Sequence, residues 1–328
     1  MKLAIFLFGT GMYVIGRKTK GFGTIFPAIF EFARQYNQID LSIYVFATSE
    51  KSKVEFLSAY SEFQKLVIHD DQLLEVKVIV GSNEDIIKEN VLNTSADIKT
   101  AIIAIPDKLH FKYISICGNL NLNVLTVKPF VENIEQANEL INLFNNKDIY
   151  GCVEFHKRFD TSNILARDMF QNGKLGLLNS VVVEYSQRIS IPTEVFSSWS
   201  RETNIFQYLG VHYIDQIFFV TKASPQRAMA IGCHNKLKTY GIDVEDEIHS
   251  IIEWKLNNNL FYSTIRTSWI DSSLSSAMSD QKISYYGSEG HLRLDQKNRG
   301  VEFLSHTLGH QDINPYFTLH LESSGNDK

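Results

Sequence analysis

The stretch Leu3-Ala4-Ile5-Phe6-Leu7-Phe8-Gly9-Thr10-Gly11 decides how the fold is read. Six consecutive apolar residues without alternation suit a strand buried on both faces, as in a parallel sheet covered by helices. Glycines directly after such a strand let the backbone turn tightly into a helix. A helix start there presents N–H groups and a partial positive charge to a phosphate. The third glycine of the usual spacing falls at Val14, and Gly16 stands two places later. The loop then runs through Arg17-Lys18-Thr19-Lys20-Gly21-Phe22-Gly23 to a helix over Ile25 to Gln35. Because any strand-to-helix turn can use glycine, Gly9, Thr10, Gly11 and Met12 stand as cofactor-binding candidates on their place in the chain, not on the motif alone.

Outward from that point the first half alternates strands and helices. Strands are expected at Ser42 to Ala47, Val76 to Val80, Thr100 to Ile105, Val124 to Val127 and Ile149 to Glu154, with helices at Leu109 to Cys117 and Ile134 to Phe144. This rhythm gives a parallel sheet with right-handed crossovers. Past residue 150 it changes. Thr161 to Gln171 and Ile205 to Val220 read as helices, and a β-rich run covers Val181 to Tyr185. Five further strands follow: Arg227 to Cys233, Ile248 to Trp254, Leu260 to Thr267, Lys282 to Tyr286 and Gly290 to Leu294. Strands without intervening helices pair antiparallel, joined by turns such as Asn257-Asn258-Asn259. Trp269 to Gln281 reads as a polar loop, and Glu322 to Lys328 as a frayed end. The fold class is therefore an α/β domain followed by an α+β domain with a large, mostly antiparallel open sheet.

Composition narrows the function. The 328 residues, 44% hydrophobic and 21% charged, are those of a folded chain long enough for two cores. A net charge of -5, with no cationic run, gives no reason to expect nucleic acid or a membrane surface as partner. No apolar stretch reaches the roughly 20 residues that span a bilayer. The start offers no cleavage site of the signal-peptide kind. Cys117, Cys152 and Cys233 are odd in number and scattered, as expected of reduced cytoplasmic thiols. Neither a disulfide framework nor a metal site is expected.

The tips of the parallel strands supply the other candidates. After the second strand, Thr48 and Ser49 stand where an acid would select a ribose 2′-hydroxyl. Glu50, Lys51 and Lys53 follow. Hydroxyls beside lysines lean toward NADP, Glu50 could still reach the ribose of NAD, and a solvated loop without cofactor contact is the plain alternative. Ile105, Pro106 and His110 border the same rim, although Pro106 and Asp107 also suit a simple helix start and a structural role suits His110. Lys128-Pro129 ends the next strand. A partly desolvated lysine there would hydrogen-bond a substrate hydroxyl and stabilise a developing alkoxide.

Taken in order, Gly9-Thr10-Gly11, Ile105-Pro106 with His110, Lys128-Pro129, Arg158-Phe159, Gly173-Lys174-Leu175-Gly176 and Gly210-Val211-His212-Tyr213-Ile214-Asp215 resemble the Gfo/Idh/MocA oxidoreductases, the family of glucose–fructose oxidoreductase and inositol dehydrogenase. The resemblance spans residues 1 to about 295. It implies an NAD(P)-binding Rossmann domain over 1–150 and a substrate-binding and oligomerisation domain over 151–328. It implies that Lys128 is the catalytic lysine of a Glu-Lys-Pro motif whose glutamate is Val127 here. It also places His212 as the active-site histidine, suited to take a hydroxyl proton as hydride leaves the same carbon. Many members carry an aspartate four residues earlier, where this chain has Tyr208. That phenol is an acid–base or orienting candidate that cannot supply a carboxylate's charge. Asp215, three residues on, is expected to support His212 from the same helical face. His156, Arg158, Trp199, Asn204, Tyr208 and Asp215 are the substrate-binding candidates, in a setting with Lys157, Gln187, Arg188, Arg201 and Thr203 that suits a polyhydroxylated or carboxylated ligand. The expected activity is NAD- or NADP-dependent oxidation of a secondary alcohol on a sugar, sugar-nucleotide or cyclitol by a homo-oligomer. The alternatives are a reductase of another carbonyl or imine using Tyr208, and a non-catalytic cofactor-binding regulator.

Overall fold

The computed structural model describes residues 1–16, 21–67, 74–296, 300–305 and 307–313. The loop residues Arg17 to Lys20 and the expected frayed end Glu322 to Lys328 lie outside them. The chain divides into two compact units, Met1–Glu154 and Phe155–Lys328.

The first unit is built on six strands: β1 (Lys2–Phe8), β2 (Asp40–Ala47), β3 (Glu75–Val80), β4 (Ile98–Ile103), β5 (Asn123–Val127) and β6 (Gly151–Glu154). All pair in parallel in the order β3-β2-β1-β4-β5-β6. The helices are α1 (Met12–Ile15), α2 (Ile25–Gln35), α3 (Glu50–Val67), α4 (Glu84–Asn93), α5 (His110–Asn119) and α6 (Ile134–Lys147). The unbroken apolar run of β1 feeds two cores at once. Ala4, Phe6 and Phe8 pack with Ile87, Val91, Ile114 and Leu140 of α4 to α6, whereas Ile5 and Leu7 pack with Val14, Phe26, Ile29 and Phe56 of α1 to α3. That two-sided burial is what removes the alternation from the sequence.

Three helices here escape the sequence reading, the short α1 together with α3 and α4. Glu50, Lys51 and Lys53 do not stand in a loop but on the first turn of α3, which Phe56 and Phe63 hold to the sheet by their buried rings. Asn83 caps α4, its side chain accepting the N–H of Ile86 at 2.9 Å.

In the second unit α7 (Thr161–Gln171) and α8 (Val211–Thr221) cover one face of an eight-stranded sheet. Its strands are β7 (Leu178–Arg188), β8 (Ser224–Cys233), β9 (Glu247–Leu256), β10 (Asn259–Asp271), β11 (Ser279–Gly287), β12 (Gly290–Asp295), β13 (Gly300–Ser305) and β14 (Gly309–Ile313). The order is β14-β13-β12-β11-β7-β10-β9-β8, antiparallel except for β7 beside β10. Phe261, Ser263, Ile265, Thr267 and Trp269 of β10 point inward, and the residues between them up to Arg266 point out. The expected loop from Trp269 to Gln281 is shorter than read. Burial of Trp269 against the core carries β10 on to Asp271, and β11 begins at Ser279. Strands β13 and β14 are additions to the expected set.

Candidate active site

In the first unit the turn after β1 shows why glycine is needed. Gly9 has φ +115°, and a Cβ there would lie 2.2 Å from the carbonyl oxygen of Ala104, the residue that follows β4. Only glycine adopts that conformation this close to a neighbouring backbone. Gly11 is different. It opens α1, its carbonyl accepts the N–H groups of Val14 and Ile15, and nothing lies within 4 Å of where its Cβ would be. The space before the helix start is thus clear, a cradle that a side chain would fill, and it fits the pyrophosphate of a dinucleotide. Thr10 is buried, Met12 begins α1, and Gly16, with φ +74°, ends it.

At the tip of β2, Thr48 and Ser49 are exposed. Ser49 accepts the N–H of Ser52 at 3.2 Å, and the hydroxyls of Thr48 and Ser49 lie 3.3 and 3.1 Å from that of Ser52. The Lys53 ammonium is 3.9 Å from Glu50 on the same turn.

The exits of β4 and β5 are braced together. His110 is fully buried, with Nδ1 2.7 Å from the carbonyl oxygen of Pro129 and 3.2 Å from that of Phe130. Its Nε2 is 3.0 Å from the carbonyl of Ile105. Its buried ring, set between these carbonyls, shapes the rim carrying Ile105, Pro106 and Lys128. Lys128 itself is half-buried and joined to Pro129 by a cis peptide. One pair on this rim escaped the sequence reading. Tyr13 of α1 donates its phenol proton to Glu154, at the end of β6, over 3.0 Å. Neither residue belongs to a recognisable motif, and only the strand order brings them together.

In the second unit His156–Phe159 form a 3-10 turn ahead of α7, whose first turn is capped by Asp160 through the N–H of Ser162. The ring of His156 meets that of His212 edge to face, with centroids 4.9 Å apart. His212 is only 4% exposed. Asp215, expected beside His212, instead turns both oxygens to Arg158: Nε donates to Oδ2 at 2.8 Å and Nη2 to Oδ1. A bidentate ionic pair outweighs a contact along the helix, and a buried carboxylate requires it. The same pairing occupies Arg158, which the sequence reading assigned to substrate.

Tyr208 and Asn204 also stand differently from expectation. The helix over Ile205 to Val220 begins with a π turn, Phe206–Gly210, before α8, so Tyr208 is not one α-turn above His212. Its ring packs on Trp199 (4.8 Å) and Trp269 (5.9 Å). Burial pushes its phenol up to about 12. Asn204 caps the turn, accepting the N–H of Gln207 at 2.8 Å. Trp199, half-buried, is part of this aromatic wall, and Gln187 accepts the indole N–H of Trp269 at 3.2 Å.

Lys157 stands between the candidates His156 and Arg158. It is 6% exposed, donates to Gln281 and, at 2.9 Å, to Gln296, and lies over the rings of Tyr185 and Tyr213. Burial pushes it down from 10.5 to about 8, partly opposed by the Asp160 carboxylate. A cavity lined by Asp160, Tyr213, Gln216 and Gln281 has a volume of about 20 Å³, room for a water and not for a sugar. The folded chain loses the Lys157 proton before the unfolded chain does. Stability is therefore expected to rise by about 3 kcal/mol between roughly pH 8 and 10.5. Chemical denaturation across that window should show the rise in the native protein and not in Lys157→Met; matching slopes would refute it.

The fold and these residues define a dinucleotide-fold protein carrying a second, open-sheet unit. The comparisons name the family. Residues 32–155 match the model of the oxidoreductase family with an NAD-binding Rossmann fold, and residues 164–293 match the GFO/IDH/MocA C-terminal domain. The chain belongs to the Gfo/Idh/MocA oxidoreductase family. It is 31% identical over 129 residues to the uncharacterized oxidoreductase YhhX of Escherichia coli K12, covering 39% of this chain and 36% of that protein. It is 24% identical over 181 residues to scyllo-inositol 2-dehydrogenase (NADP(+)) IolW of Bacillus subtilis, covering 53% and 50%. The chain thus matches half or less of the length of these relatives. Among solved structures, an inositol dehydrogenase homolog of Azotobacter vinelandii with NADH and myo-inositol superposes with TM-score 0.71 at 16% identity, covering 95% of this chain and 75% of that one. Levoglucosan dehydrogenase with NADH and L-sorbose gives 0.73 at 15%, covering 95% and 79%.

Proposed function

We propose that this protein is an NAD(P)-dependent dehydrogenase that interconverts a secondary alcohol and a ketone on a small polyhydroxylated substrate, of the sugar, sugar-nucleotide or cyclitol kind. The observation that carries the reading is the pair of glycines after β1, one locked against Ala104 and one leaving open space at a helix start. A nicotinamide bound there would accept or return the hydride. Lys128 then anchors the reacting oxygen by hydrogen bond and charge, and His212 takes or returns the hydroxyl proton, with His156 fixing its ring. Burial pushes the Tyr208 phenol up to about 12, so it stays protonated at neutral pH, the form that a proton donor in the alternative reading requires. The protonated phenol remains available to orient substrate. Thr48 and Ser49 beside Lys53 favour NADP over NAD. Fluorescence titration with each dinucleotide tests the reading: micromolar binding of at least one is expected, NADP more tightly, and failure to bind either would overturn it.

The second unit supports a homo-oligomer. Met229, Ile251, Thr264 and Val182 are register partners in one row across β8, β9, β10 and β7 on the face that no helix among the described residues covers, and Met229 is 60% and Ile231 64% exposed. An apolar row of this kind asks for a partner. Light scattering should give a dimer or tetramer, and Ile251→Asp should dissociate it; a monomeric native protein would exclude the arrangement. Among the described residues no helix is long and apolar enough to cross a membrane. The free thiols Cys117, Cys152 and Cys233 support a cytoplasmic setting, which cell fractionation checks.

A further inference from the structure

The same uncovered face ends very differently on its far side. The row continues through Ser284 of β11 to Arg293 of β12, Glu302 of β13 and Asp312 of β14. Glu302 and Asp312 are thus direct cross-strand partners, and like charges placed opposite each other are destabilising, a repulsion that a cation between them would relieve. His310, two residues before Asp312, projects from the same face.

We propose that strands β13 and β14 hold a divalent first-row transition-metal ion, with Glu302, His310 and Asp312 as its protein ligands. Their ligand atoms all lie within 4.8 Å of one another. His310 Nε2 is 3.6 Å from Glu302 Oε2 and 3.7 Å from Asp312 Oδ1. These separations are long for hydrogen bonds. They are close to the edge of a tetrahedron around an ion with bonds of about 2.0 to 2.2 Å, roughly 3.3 to 3.6 Å. The same sheet supplies a contrast in His249 and Glu247, which sit 2.6 Å apart as an ordinary hydrogen-bonded pair. The two oxygens of Glu302 divide the work. Oε1 lies 3.5 Å from His291 Nε2 and 3.4 Å from Arg293 Nη1, ion-pair separations that place cationic or ionisable groups on that side, and Oε2 is left toward His310. One imidazole with two carboxylates suits zinc and its neighbours in the series, with water completing the shell. Bound there, the ion ties β14 to the sheet.

The test uses the full chain freed of metal by chelation and dialysis. Cobalt(II) chloride is titrated while the visible d–d absorption is followed, and zinc chloride is titrated by calorimetry. One equivalent should bind, with intense low-symmetry cobalt bands and a higher melting temperature in zinc. His310→Ala and Glu302→Gln should abolish both signals, His291→Ala should weaken binding about 10- to 100-fold, and His249→Ala should leave it unchanged. Absence of saturable binding in the native chain would overturn the proposal. So would binding that survives both His310→Ala and Glu302→Gln, each checked for native circular dichroism.

Discussion

Replacing His212 by alanine is expected to lower kcat by about 10²- to 10⁴-fold while dinucleotide affinity stays at the native value. The imidazole is buried on α8 and held edge to face by His156, so its loss removes a positioned proton acceptor without opening the fold at the surface. The effect falls on the step in which the hydroxyl proton and the hydride leave one carbon, and substrate binding through other residues is left in place. The split between kcat and KM is therefore diagnostic. Steady-state rates from the dinucleotide absorbance, on a polyol the native protein turns over, provide the measurement. A loss smaller than tenfold would remove His212 from the chemistry.

The second large effect comes from the glycine pair after β1, whose members should fail in opposite ways. Gly9→Ala places a Cβ 2.2 Å from a backbone oxygen and forces alanine to φ +115°. The conformation alone costs on the order of 1 to 3 kcal/mol, and the overlap with Ala104 must be relieved by moving the end of β4. Thermal unfolding should fall by several degrees, at roughly 2 to 4 °C per kcal/mol for a domain of this size. Gly11→Ala meets nothing, so its melting temperature should stay near native. Its dinucleotide affinity should nevertheless drop at least tenfold, because the methyl group enters the space assigned to the pyrophosphate. If Gly11→Ala binds as the native protein does, the pyrophosphate lies elsewhere.

The sequence disclosed the elements whose signal is local. Helices α2 and α7 have the bounds their apolar spacing implies, because an amphipathic period is written within a dozen residues. The strands of the second sheet were legible from β-rich runs separated by turns. Helix α3 was missed because its first turn is polar and lysine-rich, and its buried rings, Phe56 and Phe63, come later. Lys128 and His212 stand as candidates through motif order, which is also information along the chain. What was not legible depends on partners far away in sequence. The Arg158–Asp215 pair spans 57 residues and the Lys157–Gln281 contact 124, and no local pattern announces either. The π turn before α8 was hidden for another reason. It adds a residue to one turn without changing which residues are apolar, so it moves Tyr208 while leaving the pattern intact.

One buried imidazole has a consequence for how this rim can change over time. The His110 ring lies between the carbonyl of Ile105 and those of Pro129 and Phe130, so the segment after β4 and the segment carrying Lys128 close on the same ring. Neither segment can drift in shape while the other is conserved. Insertions or new turn geometries at either exit must arrive together with a replacement for that ring.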